Sequence, residues 1–140
     1  MKEVFFTAAG IAGAIIAAIF GAWSNIMTTL LVFMGFDYLT GMIVAGVFHA
    51  SEKTAGGGLE SRAGWKGLCR KGMTLLVVAV AARIDVLLNT TYFRDAVAIA
   101  FIVNETLSII ENAGLMGVPI PEVIKNAIEV LKTKSTPPAE

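Results

Sequence analysis

The chain has 140 residues, of which 56% are hydrophobic and only 16% are charged, and its formal net charge at pH 7 is zero. Soluble domains of this size are seldom so apolar, so the composition predicts an all-α integral membrane protein. The neutral balance gives no electrostatic reason to expect a nucleic-acid partner. Cys69 is the single cysteine, which excludes an intrachain disulfide.

The first predicted span covers residues 4–23 and contains no charged residue. At about 1.5 Å per residue it reaches roughly 30 Å, the thickness of the bilayer's hydrocarbon core. Small residues recur at every fourth position, and such a row lets a second helix approach closely. The predicted packing positions on this row are Ala9, Gly13, Ala17 and Gly21. Generic small-residue content and a cleavable signal peptide are the alternatives for this segment.

The second predicted span, residues 26–48, carries one carboxylate near its middle, Asp37. A charge at the bilayer centre costs about 2.5–3.5 kcal/mol, so this side chain is expected to avoid lipid. Two interpretations remain open: a hydrogen-bond partner for a neighbouring helix, or a residue facing a water-filled lumen or a proton path. Gly41 and Ala45 form another small-residue step and are predicted at a helix contact.

Residues 49–71 form a polar loop with three consecutive glycines, and basic residues recur every four positions in its second half. This spacing predicts a short helix on the membrane surface, with its basic side towards lipid phosphates. The predicted membrane-surface residues are Arg62, Trp65, Lys66, Arg70 and Lys71. A solvated loop with charges that stop membrane transfer is the alternative.

The third predicted span, residues 72–89, contains both Arg83 and Asp85, which makes its insertion marginal. The two charges lie about 200° apart around a helix and cannot pair with each other. Each therefore needs a partner from another helix, or water. We predict an inserted helix that depends on its neighbours, which gives four spans; a helix lying in the interface would give three.

The fourth predicted span, residues 94–118, carries a seam of polar side chains at helical spacing in its second half. The seam consists of Asn104, Glu105, Ser108, Glu111 and Asn112. Together with Asp37, Arg83 and Asp85, these residues are predicted to line a pore or to make polar contacts between helices. Because such groups cannot face lipid cheaply, we expect them to find shelter when several copies assemble.

Residues 1–120 thus form the predicted transmembrane domain, and residues 121–140 form a separate C-terminal segment. Pro119 and Pro121 end the fourth span, and an amphipathic helix over residues 121–134 follows. Residues 135–140 are predicted to be a disordered tail. Basic residues cluster in the central loop and near both ends of the chain, which predicts that both termini are cytoplasmic.

The chain lacks the sequence signatures of an enzyme. It contains no nucleophile elbow, no phosphate-binding loop and no metal-ligand spacing, so no catalytic residue, cofactor or metal is predicted. The small size and membrane character favour a role in permeation or assembly.

Three segments resemble the phage holins of the lysis and toxin-secretion type: FDYLTGMIVA at 36–45, GWKGLCRKGMTLL at 64–76 and NETLSIIENAGLMGVPIP at 104–121. The resemblance implies a homo-oligomeric protein of the bacterial inner membrane that opens holes. The partners so implied are other copies of the chain, the lipid bilayer, and the endolysin or toxin that is released. A small proton-coupled exporter, or an antiholin-like scaffold without its own pore, is the alternative.

Overall fold

The computed structural model describes residues 1–135, and these fold into helices joined by turns and loops, with no strand among them. The helices are α1 (Lys2–Phe20), α2 (Asn25–Gly46), α3 (Ser61–Leu88), α4 (Phe93–Leu115) and α5 (Glu122–Ser135). The all-helical prediction is therefore confirmed. The predicted tail begins inside α5 at Ser135, and its remaining residues lie outside the part of the chain that the structure describes.

Short-range hydrogen bonds explain where the helices begin and end. The Ser24 hydroxyl accepts from the Met27 backbone N–H at 3.4 Å and caps the start of α2. Asn89 adopts the left-handed conformation that ends α3. Gly117 does the same after α4, and the prolines that follow prevent the helix from continuing.

The structure joins two segments that the sequence analysis separates. The predicted surface helix around 61–70 and the predicted span 72–89 form one helix, α3, of 28 residues. Gly72 begins the predicted span, but a single glycine costs only about 1 kcal/mol in a helix and does not break it. At about 1.5 Å per residue, α3 is roughly 42 Å long, which exceeds the hydrocarbon thickness of a bilayer.

Among the described helices, α1 and α2 are long and apolar enough to cross a membrane by length and composition, whereas α3 and α4 do not meet the same criterion. The difference comes from charge. The apolar part of α3 still holds Lys71, Arg83 and Asp85, and α4 carries the polar seam.

The bundle is built around α4, which packs against both α2 and α3. Its apolar core lies between these three helices and consists of Met27, Leu30, Met34, Val78, Ala98 and Ile102. The helix α5 packs back against α4 and buries Ile128. The connection 47–60 crosses the end of the bundle opposite the short turns at 21–24 and 89–92.

The helix α1 stands at the side of this bundle and contacts α3. None of its residues, all of which the structure describes, is buried. Arg94 fixes its C-terminal end by donating to the carbonyls of Phe20 and Ala22 at 2.8 and 2.6 Å. A cation at the end of a helix also complements the helix dipole, so this contact helps to orient α1 beside α3.

Candidate functional site

A cluster of three charged side chains lies where α2, α3 and α4 meet. Lys71 Nζ donates to Asp37 Oδ2 at 2.7 Å and to Glu105 Oε2 at 2.6 Å. The three side chains are only 10–15% exposed. Each comes from a different helix, so the cluster, which we call the Lys71 cluster, ties the three helices together.

The buried amide of Asn112 extends the Lys71 cluster towards α2. Its Nδ2 donates to Thr40 Oγ1 at 2.9 Å and to the backbone carbonyl of Asp37 at 3.3 Å. Asn112 and Glu105 are seven residues apart on α4, about 20° around the helix, which brings both to the same side of α2. Gly41 lies beside the Asn112 amide and leaves room for it.

The charges in the Lys71 cluster do not cancel, because one ammonium group faces two carboxylates. Buried ion pairs hold together only when every charged group keeps its partners, since an unpartnered charge is costly in a low-dielectric surrounding. The arrangement can therefore exchange its internal partners for water, but not for lipid. Within residues 1–135, no group of three acidic, histidine or cysteine side chains is placed to hold a metal ion.

A cavity of about 530 Å³ opens next to the Lys71 cluster, on the side of the 47–60 connection. Asp37, Lys71 and Asn112 line its inner end, while residues 51–54 and the last turns of α4 form its rim. We call it the loop-side cavity. It gives the charged cluster a route to the solvent at that end of the bundle.

The structure divides the predicted seam of α4. Glu105 and Asn112 contact α2 and α3, and Ser108 lines the loop-side cavity beside Asp37. Glu111 is exposed at the cavity rim, and Asn104 is exposed on the outside of α4. Only part of the predicted seam therefore contacts other helices, and the rest of it is exposed.

Asp85 and Arg83 lie away from the Lys71 cluster, at the opposite end of the bundle. The Asp85 carboxylate accepts from the backbone N–H groups of Phe93 and Arg94 at 3.0 and 2.9 Å and from Thr90 Oγ1 at 2.7 Å. It therefore caps the start of α4, where a negative charge is favoured. Arg83 donates to the Ala18 carbonyl at 3.4 Å.

The predicted packing residues fall into two groups. Gly41 and Ala45 lie in the bundle on α2, where Ala45 is buried and Gly41 adjoins Asn112. The other four are Ala9, Gly13 and Ala17 on α1, and Gly21, which lies just past the end of α1 with Arg94 beside it. A methyl group added at Gly13 would meet no atom within 4 Å, so the small-residue row of α1 is open for most of its length.

The predicted membrane-surface group loses one member. Arg62, Trp65, Lys66 and Arg70 are exposed on the first turns of α3. The prediction for Lys71 is wrong, because its side chain turns inward to the two carboxylates. The sequence did contain a signal for this contact. Lys71 lies at the boundary between a basic stretch and an apolar run, and two other predicted spans carry carboxylates without an obvious partner.

The groups of the Lys71 cluster find their partners within one chain. Across the described residues, no buried side-chain nitrogen or oxygen lacks a hydrogen-bond partner. Asp37, Glu105, Asp85 and Asn112 therefore do not need further copies of the chain for shelter. Arg83, Asn104 and Glu111 are exposed, and for them the expected shelter between copies stays a prediction. Sequence reasoning also missed Arg94, which pairs with Asp95 at 3.0 Å and donates to the Phe20 carbonyl at the end of α1.

Comparison with known proteins gives the class of the protein. The profile of the Bacteriophage holin family matches residues 14–133. The chain belongs to this family, whose members are membrane proteins without enzymatic activity.

Particular relatives carry the comparison further. A probable holin from Bacillus phage phi105 is 37% identical over 98 residues, which cover 69% of this chain and 67% of that protein. An uncharacterized 14.9 kDa protein in the nagH 3' region of Clostridium perfringens is 42% identical over 124 residues, 87% of this chain and 88% of that one. An uncharacterized Listeria monocytogenes protein is 38% identical over 126 residues, 88% of this chain and 83% of that one. No solved structure matches the chain.

Proposed function

We propose that this protein oligomerises in the bacterial inner membrane and permeabilises it, so that an endolysin or a toxin can leave the cell. Family membership and the similarity to a probable phage holin support a holin-like role. The observation that carries the hole-forming step is the Lys71 cluster, a set of charges enclosed by helices of membrane-spanning length.

The proposed membrane arrangement has four crossings with both termini in the cytoplasm. Helices α3 and α4 have 28 and 23 residues, so both exceed the roughly 20 that a bilayer requires. The basic first turns of α3 and the loop-side cavity then lie at the cytoplasmic face, in agreement with the distribution of positive residues.

The proposed opening step follows from the cost of the Lys71 cluster in different surroundings. In the closed state its three groups satisfy one another inside the chain. A rearrangement that turned them towards lipid would cost several kcal/mol, whereas one that turned them towards water would replace each lost contact by hydration. The cluster therefore favours openings in which α2, α3 and α4 separate around water.

Assembly uses α1 in this proposal. The helix is apolar, and its small-residue row is open along most of its length. Close packing of such rows is a common way for helices to associate in lipid. The α1 helices of neighbouring copies then form the contacts that hold the ring or raft together.

Expression in a bacterial host with and without a co-expressed endolysin tests the proposal. We expect membrane depolarisation in both cases, and lysis only with the endolysin. Glu105→Gln leaves Lys71 with a single carboxylate partner, which stabilises the closed state, so lysis should be delayed at equal protein level. Glu122→Gln, which alters an exposed pair with Lys125 at 2.9 Å, is the matched control and should keep the wild-type timing.

Two results would count against the proposal. If the wild-type protein reaches the membrane and neither depolarises it nor supports lysis, it forms no hole. If Glu105→Gln and Glu122→Gln lyse cells at the same time as the wild type, the Lys71 cluster does not take part in opening.

A further inference from the structure

We infer that the loop-side cavity is a binding site for a small amphipathic cation. Its volume of about 530 Å³ lies within the roughly 300–1,000 Å³ typical of small-molecule sites. The inference goes beyond the proposed hole-forming role, because it concerns a molecule that the closed protomer binds.

The wall of the cavity is apolar. Met42, Val44, Leu59 and Leu115 contribute aliphatic or thioether side chains to it. A methionine in such a wall adapts to ligands of different shape, because its side chain is unbranched and flexible. The apolar wall therefore suits the hydrophobic part of a ligand.

The charges around the cavity favour a cation. The lining contains the carboxylates of Asp37, Glu52, Glu60 and Glu111 and the ammonium groups of Lys53 and Lys71. Glu105, bound to Lys71, adds a fifth carboxylate directly behind the wall. Five carboxylates against two ammonium groups leave a negative site, which attracts positive ligands and repels negative ones.

The rim carboxylates are available to a ligand. Within residues 1–135, no ion pair or side-chain hydrogen bond occupies Glu52, Glu60 or Glu111. Tyr38 also lines the cavity, and its ring packs near Gly64 and Gly67 of α3. An aromatic face beside carboxylates is a recurring way to bind organic cations.

The structure provides a variant that adds bulk at the wall of the cavity. Gly114 lines the cavity, and a Cβ atom added there would meet no other part of the described chain within 4 Å, so a leucine side chain starts in open space at the cavity wall. Gly72 has the same freedom on α3 but does not line the cavity. Gly114→Leu and Gly72→Leu are therefore a matched pair.

The test measures binding of radiolabelled tetraphenylphosphonium to the full chain in zwitterionic lipid nanodiscs, with empty nanodiscs as background. Tetraphenylborate has the same shape and the opposite charge. We expect saturable binding of the cation to the wild type and to Gly72→Leu. Gly114→Leu should weaken it at least tenfold, and Glu111→Gln by about three- to tenfold.

The inference is overturned if tetraphenylphosphonium does not bind above the empty-disc background. It is equally overturned if tetraphenylborate binds as well as the cation, or if Gly114→Leu and Gly72→Leu bind alike. Glu111→Gln changes an exposed side chain and keeps the test informative should Gly114→Leu fail to fold. In that case, weaker binding by Glu111→Gln supports the site, and wild-type binding by Glu111→Gln counts against it.

Discussion

The helices α1 and α4 reverse the usual relation between hydrophobicity and burial. The charge-poor α1 buries none of its residues, all of which the structure describes. The more polar α4 buries Ala98, Ile102, Val103 and Asn112 and packs against two other helices. In a soluble protein the apolar helix would form the core. In a bilayer lipid accommodates apolar side chains, so the polar helix is the one that requires protein neighbours.

If α4 depends on its protein neighbours, breaking the Lys71 cluster should lower the free energy of unfolding more than any other change considered. Lys71→Met leaves Asp37 and Glu105 side by side without their shared ammonium group. Removal of one member of a buried ion pair typically costs about 3–5 kcal/mol. We expect a loss of this size in the free energy of unfolding, measured by denaturant titration in detergent micelles.

Two further variants test whether the loss in unfolding free energy comes from unpaired buried charges. Lys125→Met removes an exposed lysine paired with Glu122 and should change the free energy of unfolding by at most about 1 kcal/mol. Adding Asp37→Asn and Glu105→Gln to Lys71→Met should recover much of the loss, because no unpaired charge remains. Equal stability of Lys71→Met and Lys125→Met would show that the cluster is not enclosed by protein.

Two asparagines of α4 compare its protein-facing side with its exposed side. Asn112→Ala removes the hydrogen bond to Thr40 Oγ1 and leaves a gap beside Gly41, which should cost about 1–3 kcal/mol. Asn104→Ala changes an exposed position and should stay within about 0.5 kcal/mol of the wild type. The same unfolding titration measures both, and similar losses would mean that α4 has no distinct protein-facing side.

These two asparagines also show how far the sequence could be read. The 3.6-residue period placed the polar residues on one side of α4, and the helical class and the buried carboxylate of α2 follow from the sequence equally well. However, Asn104 and Asn112 lie about 80° apart around the helix, and periodicity does not say which edge of so broad a seam faces α2.

Other parts of the site depend on tertiary geometry. Lys71 directly follows the exposed Arg70, and the reach of its long side chain to carboxylates on two other helices decides its partners. Asp85 looked like a costly charge within a span. Its role as the cap of α4 depends on the turn at 89–92, which brings two backbone N–H groups to the carboxylate. Helical periodicity contains no information on such a turn.

The smallest effect on protomer stability is expected from a substitution on α1. This variant tests directly whether α1 packs against the rest of the protomer. Gly13→Leu places a side chain where no atom lies within 4 Å, so the protomer should unfold within about 1 kcal/mol of the wild type. The same leucine should block close approach of a second α1 and lower the number of copies per cluster, counted by single-molecule photobleaching in liposomes. Gly35→Leu adds an equal side chain at an exposed, open position of α2 and should leave the clusters unchanged. A protomer that Gly13→Leu destabilises as strongly as Asn112→Ala would mean that α1 is packed in the bundle. Unchanged clusters in Gly13→Leu would mean that copies associate through another face.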